Sequence, residues 1–70
     1  MSIKLYTIDC PACNILEKKL NAKNLTYEAI RDADAVRKIA VQHAITNAPI
    51  LEVDGVVMSF SDAVNWVNKQ

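Results

Sequence analysis

The sequence has few of the residues that usually build metal sites. Its 70 residues include two cysteines and one histidine, His43, whereas a closed structural zinc site takes four ligands, usually Cys and His. A zinc ribbon within one chain is therefore excluded. Cys10 and Cys13, spaced C-x-x-C, are enough for a reversible disulfide. Two chains that pool their cysteines around zinc or an iron–sulfur cluster remain an alternative to redox chemistry at this point.

Net charge and long apolar runs are also missing. Eight basic and eight acidic side chains give a formal net charge of zero, which favours neither nucleic acid nor a membrane surface as a partner. The chain has no apolar run long enough for a membrane span and no basic-then-apolar leader pattern. We expect a single domain over residues 1–70 that is cytoplasmic and monomeric. In the cytoplasm a C-x-x-C motif is more often catalytic or metal-binding than a structural crosslink.

The cysteines lie where a strand pattern gives way to a helix pattern. With Cys10 as the N-cap, Pro11 occupies the first helical position, where its fixed φ is suitable and its missing N–H costs nothing. The backbone N–H groups of Ala12 and Cys13 then point towards the Cys10 sulfur. These donors and the helix dipole favour the thiolate and lower the pKa of Cys10 below the free value of about 8.5. We expect Cys10 to be the nucleophile and the more buried Cys13 to resolve a mixed disulfide.

The remaining pattern predicts an α/β chain in the order βαβαββα. Asp54-Gly55 lies between two β-rich runs and predicts a hairpin with a type I′ turn. Ser59 and Asp62 fit a capping box at the start of the last helix, with a simpler cap at Ser61 as the alternative. The basic side chains that include Arg31 are interpreted as solvated helix faces. Strands are predicted at 3–8, 25–30, 50–53 and 56–59, and helices from Pro11 to about Lys23, from Asp32 or Asp34 to about His43 or Ala44, and after Ser59.

This element order, with C-P-A-C opening the first helix, resembles the thioredoxin-like fold in its small glutaredoxin form. Further anchors are Leu5-Tyr6-Thr7 before the motif, Ala48-Pro49 entering a strand, and Val53-Asp54-Gly55 at the hairpin. The run 43–51 also resembles the segment Y-G-I-x-x-x-P-T-L of thioredoxins. The resemblance covers nearly the whole chain. It implies a four-stranded mixed sheet in the order 2-1-3-4 with three flanking helices and a cis bond before Pro49.

The resemblance also implies roles for individual residues. Cys10 and Cys13 are the catalytic dithiol, with Pro11 and Ala12 as supporting motif residues. Ala48 and Pro49 form the edge that docks an extended substrate through main-chain groups. Tyr6 either lines the substrate groove or packs in the core. Asp62 matches an acid often found in the family at the start of the last helix.

The implied activity is thiol–disulfide exchange on disulfide-containing proteins or glutathione mixed disulfides. No cofactor is bound within the domain, and the electrons come from reduced glutathione or from a flavin-dependent thioredoxin reductase. Ile8 and Asp9 stand where glutaredoxins commonly have a lysine, and Ser59-Phe60 replaces a frequent Gly-Gly. Met58-Ser59-Phe60 is more similar to a segment of glutaredoxin-like electron donors for ribonucleotide reductase. A non-catalytic interaction module is a further alternative.

Overall fold

The computed structural model describes all 70 residues and confirms the predicted order of elements. Four strands alternate with three helices, and the last two strands form a hairpin before the final helix. The elements are β1 (Ile3–Tyr6), α1 (Pro11–Ala22), β2 (Glu28–Ile30), α2 (Ala33–Gln42), β3 (Ile50–Val53), β4 (Val56–Met58) and α3 (Phe60–Asn68).

The four strands form one mixed sheet in the predicted order β2-β1-β3-β4. β1 lies inside the sheet, where it pairs in parallel with β2 and antiparallel with β3. β3 pairs with β4 across the turn at Asp54 and Gly55, whose φ angles are 49° and 86°. Positive φ at both central residues is the signature of the predicted type I′ turn. β1, the strand that leads into the cysteine motif, is hydrogen-bonded to a neighbouring strand on each side.

β2 is shorter than predicted from the alternating pattern of residues 25–30. It begins at Glu28, which pairs with Lys4 of β1. The preceding residues instead terminate α1, because Asn24 adopts a φ of 56° and the Leu25 N–H donates to the Leu20 carbonyl over 3.1 Å. This is the hydrogen-bond pattern of a Schellman motif. Leu25 contacts the core with its side chain but takes no part in the sheet.

One face of the sheet carries the main hydrophobic core against α1 and α3. Ile50 is also buried but points to the opposite face from Leu51, and α2 buries Val36 and Ile39 outside the main cluster. None of the three helices has the length and apolar character needed to cross a bilayer. The core cluster consists of Ile3, Leu5, Leu16, Leu20, Leu51, Val53, Ala63 and Val67.

Candidate active site

The cysteine motif follows the inner strand β1 directly. Thr7 is fully buried, and its hydroxyl oxygen accepts a hydrogen bond from the Asp9 N–H over 3.1 Å. Asp9 has a φ of 60°, in the left-handed region. Aspartate tolerates this region better than most residues because its short polar side chain can bond locally. The segment 7–10 therefore makes a tight turn that delivers Cys10 to the start of α1.

Cys10 is the N-cap of α1, as the sequence predicts. Its sulfur accepts a hydrogen bond from the Cys13 N–H over 3.1 Å, and Pro11 occupies the first turn of the helix. Of the two amides expected to face the sulfur, that of Cys13 makes the bond. A backbone donor at a helix N-terminus stabilises negative charge on the capping atom. We therefore predict that, once the disulfide is reduced, this donor stabilises a thiolate at Cys10.

The two cysteines form a disulfide pair with a separation of 4.9 Å between their Cα atoms. Cys13 is completely buried beside Leu16 and Leu20 on the inner side of α1, whereas Cys10 is partly exposed. Of the two cysteines, only Cys10 is therefore partly open to solvent. This asymmetry is what a nucleophilic and a resolving cysteine need.

Ala48 and Pro49 lie beside the cysteines although they are far away in sequence. The Cys10 sulfur is 3.8 Å from the Ala48 carbonyl oxygen. The Ala48–Pro49 bond is cis, as the resemblance implies, and Pro49 is fully buried. Because Pro49 enters β3, the sheet fixes the position of the Ala48 carbonyl relative to Cys10.

A groove of about 630 Å³ opens next to the motif. It lies between the first turn of α1, the segment before Pro49 and the N-terminus of α3, and Ala48 is the predicted docking residue that lines it. Tyr6, Pro49 and Asp62 do not line it, and their docking roles remain predictions. The lining has no ionisable side chain and consists of Ala12, Ala44, Ile45, Thr46, Asn47, Ala48, Ser59, Phe60 and Ser61.

Asp62 lies in the first turn of α3, outside the groove. Ser59 is the N-cap, but its side chain makes no hydrogen bond to the helix backbone. Its hydroxyl instead donates to the Asp62 carboxylate over 3.5 Å. The predicted capping box is therefore correct in its N-cap residue and wrong in its side-chain-to-backbone bond.

Arg31 is a site residue that the sequence interpretation missed. The sequence pattern predicts that it lies on a solvated helix face, but it follows β2, where its guanidinium binds both Asp9 and Glu17. A usable signal exists in the sequence. β1 and β2 are predicted to run in parallel, so residues after Ile30 must lie near residues after Tyr6.

The side chains of the motif do not form a metal-binding group. No three His, Cys, Asp or Glu side chains are grouped closely enough to hold a metal ion. A metal bound by Cys10 and Cys13 would therefore need ligands from a second molecule.

Comparison with known proteins identifies relatives by structure only. No family model matches the chain, and no curated protein matches it. Crystal structures of the thioredoxin-like protein BC3987 and of a point mutant of that protein are 28% and 26% identical, with TM-scores of 0.72 and 0.73. They cover 94% and 96% of this chain, which spans 99% of each of them.

A second kind of neighbour is a larger enzyme. Na-GST-3, a glutathione S-transferase from the hookworm Necator americanus, is 24% identical with a TM-score of 0.77. The match covers 99% of this chain and 35% of the transferase chain, so it is a likeness in fold alone. The chain has a thioredoxin-like α/β fold with a cysteine pair at disulfide distance at the start of its first helix.

Proposed function

We propose that this chain is a glutaredoxin-like thiol–disulfide oxidoreductase in which Cys10 is the nucleophile and Cys13 the resolving thiol. The observation that carries the proposal is the bond from the Cys13 N–H to the Cys10 sulfur over 3.1 Å. It supports a thiolate at a partly exposed position, and the second thiol lies one helical turn away in the interior. A cysteine pair with only a packing role would need neither the donor nor the difference in exposure.

The reaction starts from the reduced dithiol. The Cys10 thiolate attacks one sulfur of a substrate disulfide, the substrate S–S bond breaks, and the leaving sulfur takes up a proton as a thiol. A mixed disulfide now joins Cys10 to the substrate. Cys13 loses its proton and attacks the Cys10 sulfur, which releases the second substrate thiol and leaves the Cys10–Cys13 disulfide. Two electrons have moved to the substrate, and an external thiol or a flavin-dependent reductase then reduces the Cys10–Cys13 disulfide with two further electrons.

The groove supports protein disulfides as the substrate class. An extended segment can lie along Ala48, whose carbonyl is 3.8 Å from the Cys10 sulfur, and bond to main-chain groups there. Glutathione carries two carboxylates, and none of the side chains that line the groove is a cation. We therefore assign glutathione a smaller part, as a reductant or a mixed-disulfide partner. Electron donation to an enzyme such as ribonucleotide reductase is one form of this activity, supported by the segment 58–60.

The test is reduction of insulin disulfides with two electron sources, glutathione with glutathione reductase and NADPH with thioredoxin reductase. The wild type should turn over with at least one source. Cys10→Ser should be inactive, and Cys13→Ser should accumulate a mixed disulfide that is visible by mass spectrometry. Full activity in Cys10→Ser contradicts the proposal.

Metal analysis of the purified protein separates redox work from the metal-binding alternative. Two free thiols that a mild oxidant converts into one disulfide support the oxidoreductase. Stoichiometric zinc or iron with blocked thiols supports a site shared between two chains. An interaction module with unused cysteines predicts that Cys10 alkylates no faster than an ordinary exposed thiol.

A further inference from the structure

The Arg31 side chain joins two carboxylates that lie on either side of the cysteine pair in sequence. One guanidinium nitrogen binds Asp9, the residue before Cys10, and the other binds Glu17 on α1 over 2.7 Å. The exposed fraction of the side chain is 62% for Asp9 and 19% for Glu17. The bridge therefore connects the turn that delivers Cys10 to the helix that Cys10 caps.

The sheet places Arg31 at this turn. β2 runs parallel to β1, and the Thr7 N–H continues the pairing with a bond to the Ile30 carbonyl over 3.0 Å. Arg31 is the residue directly after β2, and it thus lies beside the segment 7–10. Asp9 is held in position by its own N–H, which donates to Thr7. These hydrogen bonds hold the main chain at Asp9 close to the main chain that leads into Arg31.

We propose that Arg31 is a positioning residue for the cysteine pair. Arg31 binds Asp9 and so compensates the negative charge directly beside Cys10. The inference rests on the proposed thiol chemistry but explains a different feature, namely how an acid is tolerated next to a nucleophilic sulfur. A free carboxylate at position 9 would oppose the negative charge of the thiolate. The paired carboxylate opposes it less.

The elements across the groove, residues 44–48 and 59–61, contribute no ionisable side chain. The ionisable residues that directly adjoin these two segments in sequence are His43 at the end of α2 and Asp62 in the first turn of α3. Asp32, next to Arg31, is engaged as the N-cap of α2. The pair formed by Asp9 and Arg31 is therefore the charged group most directly connected to Cys10.

The experiment measures the pH dependence of iodoacetamide alkylation of Cys10 in a reduced Cys13→Ser background, where only one thiol reacts. Arg31→Met should raise the pKa of Cys10 by about half a unit, because the Asp9 carboxylate is uncompensated. Below that pKa the alkylation rate should fall about threefold. Asp9→Asn should shift the pKa in the opposite direction. In the Asp9→Asn background, Arg31→Met should have little further effect, since no carboxylate is left at position 9.

Control variants separate this role from general charge and from folding. Arg37 is an exposed arginine on α2 whose guanidinium is 3.7 Å from the Asp34 carboxylate, in an ion pair that does not include Asp9. Arg37→Met should therefore leave the pH profile of Cys10 alkylation unchanged. Arg31→Gln keeps a polar side chain without the charge and should raise the pKa of Cys10 by the same amount. It provides the measurement if Arg31→Met folds poorly. Raising the salt concentration to about 1 M should reduce the difference between the variants and the parent.

Three results would overturn the inference. The first is an unchanged pKa of Cys10 in folded Arg31→Gln. The second is an equal shift from Arg31→Gln with and without Asp9→Asn, because Arg31 would then act on the sulfur directly. The third is an equal shift in Arg37→Met. None of these measurements requires turnover, so absence of insulin reduction by the wild type would reject the proposed function and leave this test intact.

Discussion

The backbone N–H of Cys13 donates a hydrogen bond to the sulfur of Cys10 over 3.1 Å. The donor belongs to the peptide group and not to the Cys13 thiol. Its effect on Cys10 is therefore independent of the side chain at position 13. In the proposed function, reactivity at Cys10 and resolution by Cys13 are therefore two properties that can be tested separately.

The first prediction follows from this separation. In Cys13→Ala the resolving thiol is lost but the N–H donor and the helix N-terminus remain, so the pKa of Cys10 should stay below the free value of about 8.5. The thiolate absorbance near 240 nm, followed against pH, gives this pKa in the reduced variant. In the reduced wild type, limiting iodoacetamide should modify Cys10 before the fully buried Cys13. Equal labelling of both cysteines, or a Cys10 pKa above 8.5 in Cys13→Ala, would contradict the helix-start mechanism.

The second prediction concerns the end of α2. Ala44 has a φ of 54°, and the Ile45 N–H donates to the Ala40 carbonyl over 2.9 Å. This pattern normally places glycine at the left-handed position. The left-handed conformation costs a residue with a Cβ about 1 to 2 kcal/mol, whereas glycine loses more chain entropy on folding. Ala44→Gly should therefore raise the free energy of unfolding by about 0.5 to 1 kcal/mol.

Urea denaturation measures this change, and α1 offers a matched control. Asn24 occupies the equivalent position with a φ of 56°. Asparagine tolerates the left-handed region better than alanine, so Asn24→Gly should change the stability by less than Ala44→Gly. A loss of stability in Ala44→Gly would show that the chain entropy of glycine outweighs the relief at this position.

The third prediction compares two helix N-caps. The Asp32 carboxylate accepts a hydrogen bond from the Asp34 N–H over 3.0 Å, whereas the Ser59 side chain makes no such bond to α3. Asp32→Ala should lower the free energy of unfolding by about 1 kcal/mol, the usual loss for a working N-cap. Ser59→Ala should cost clearly less. Thermal unfolding followed by circular dichroism measures both, and equal losses would mean that Ser59 caps its helix in solution.

Much of the site could be predicted because its chemistry is local in sequence. Cys10, Pro11 and Cys13 determine the helix start by their own backbone preferences, and Asp54-Gly55 determines the hairpin. The contact of Cys10 with Ala48 was predictable only through resemblance to a known fold. No local preference of either residue brings two positions 38 residues apart together.

Other features depended on competition between neighbouring elements. Residues 25–27 alternate between apolar and polar like a strand. The Leu25 N–H, however, donates to the Leu20 carbonyl at the end of α1 and so is not available to the sheet. The sequence pattern places Arg31 on a solvated helix face, because charge pattern alone does not distinguish such a face from a bridge between two acids. Such a bridge depends on the register of β1 and β2, which pairs Tyr6 with Ile30. The predicted parallel pairing places Arg31 and Asp9 at the same edge of the sheet, but only the folded chain shows the register that brings their side chains into contact.

The last prediction tests the uncharged character of the groove. Thr46 is exposed and lines the groove together with Ala12 and Ala48. On the proposal that a glutathione mixed disulfide docks in this groove, Thr46→Arg supplies a cation for one of the glutathione carboxylates. An exposed ion pair contributes about 0.2 to 1 kcal/mol, so the KM for a glutathione mixed disulfide should fall by roughly 1.4- to fivefold. The kcat should change little, because Cys10 and its donor are untouched.

The control keeps the same substitution and moves it away from the groove. Thr26 is an exposed threonine between α1 and β2 that does not line the groove, and Thr26→Arg gives the same net charge as Thr46→Arg. Its KM for the glutathione mixed disulfide should match that of the wild type. If both variants lower the KM equally, the effect comes from overall charge, and the groove does not select against glutathione. If neither variant changes it, glutathione binds elsewhere on the protein or through its main chain alone. Only a lower KM in Thr46→Arg with an unchanged KM in Thr26→Arg identifies the uncharged lining as the reason for a preference for protein disulfides.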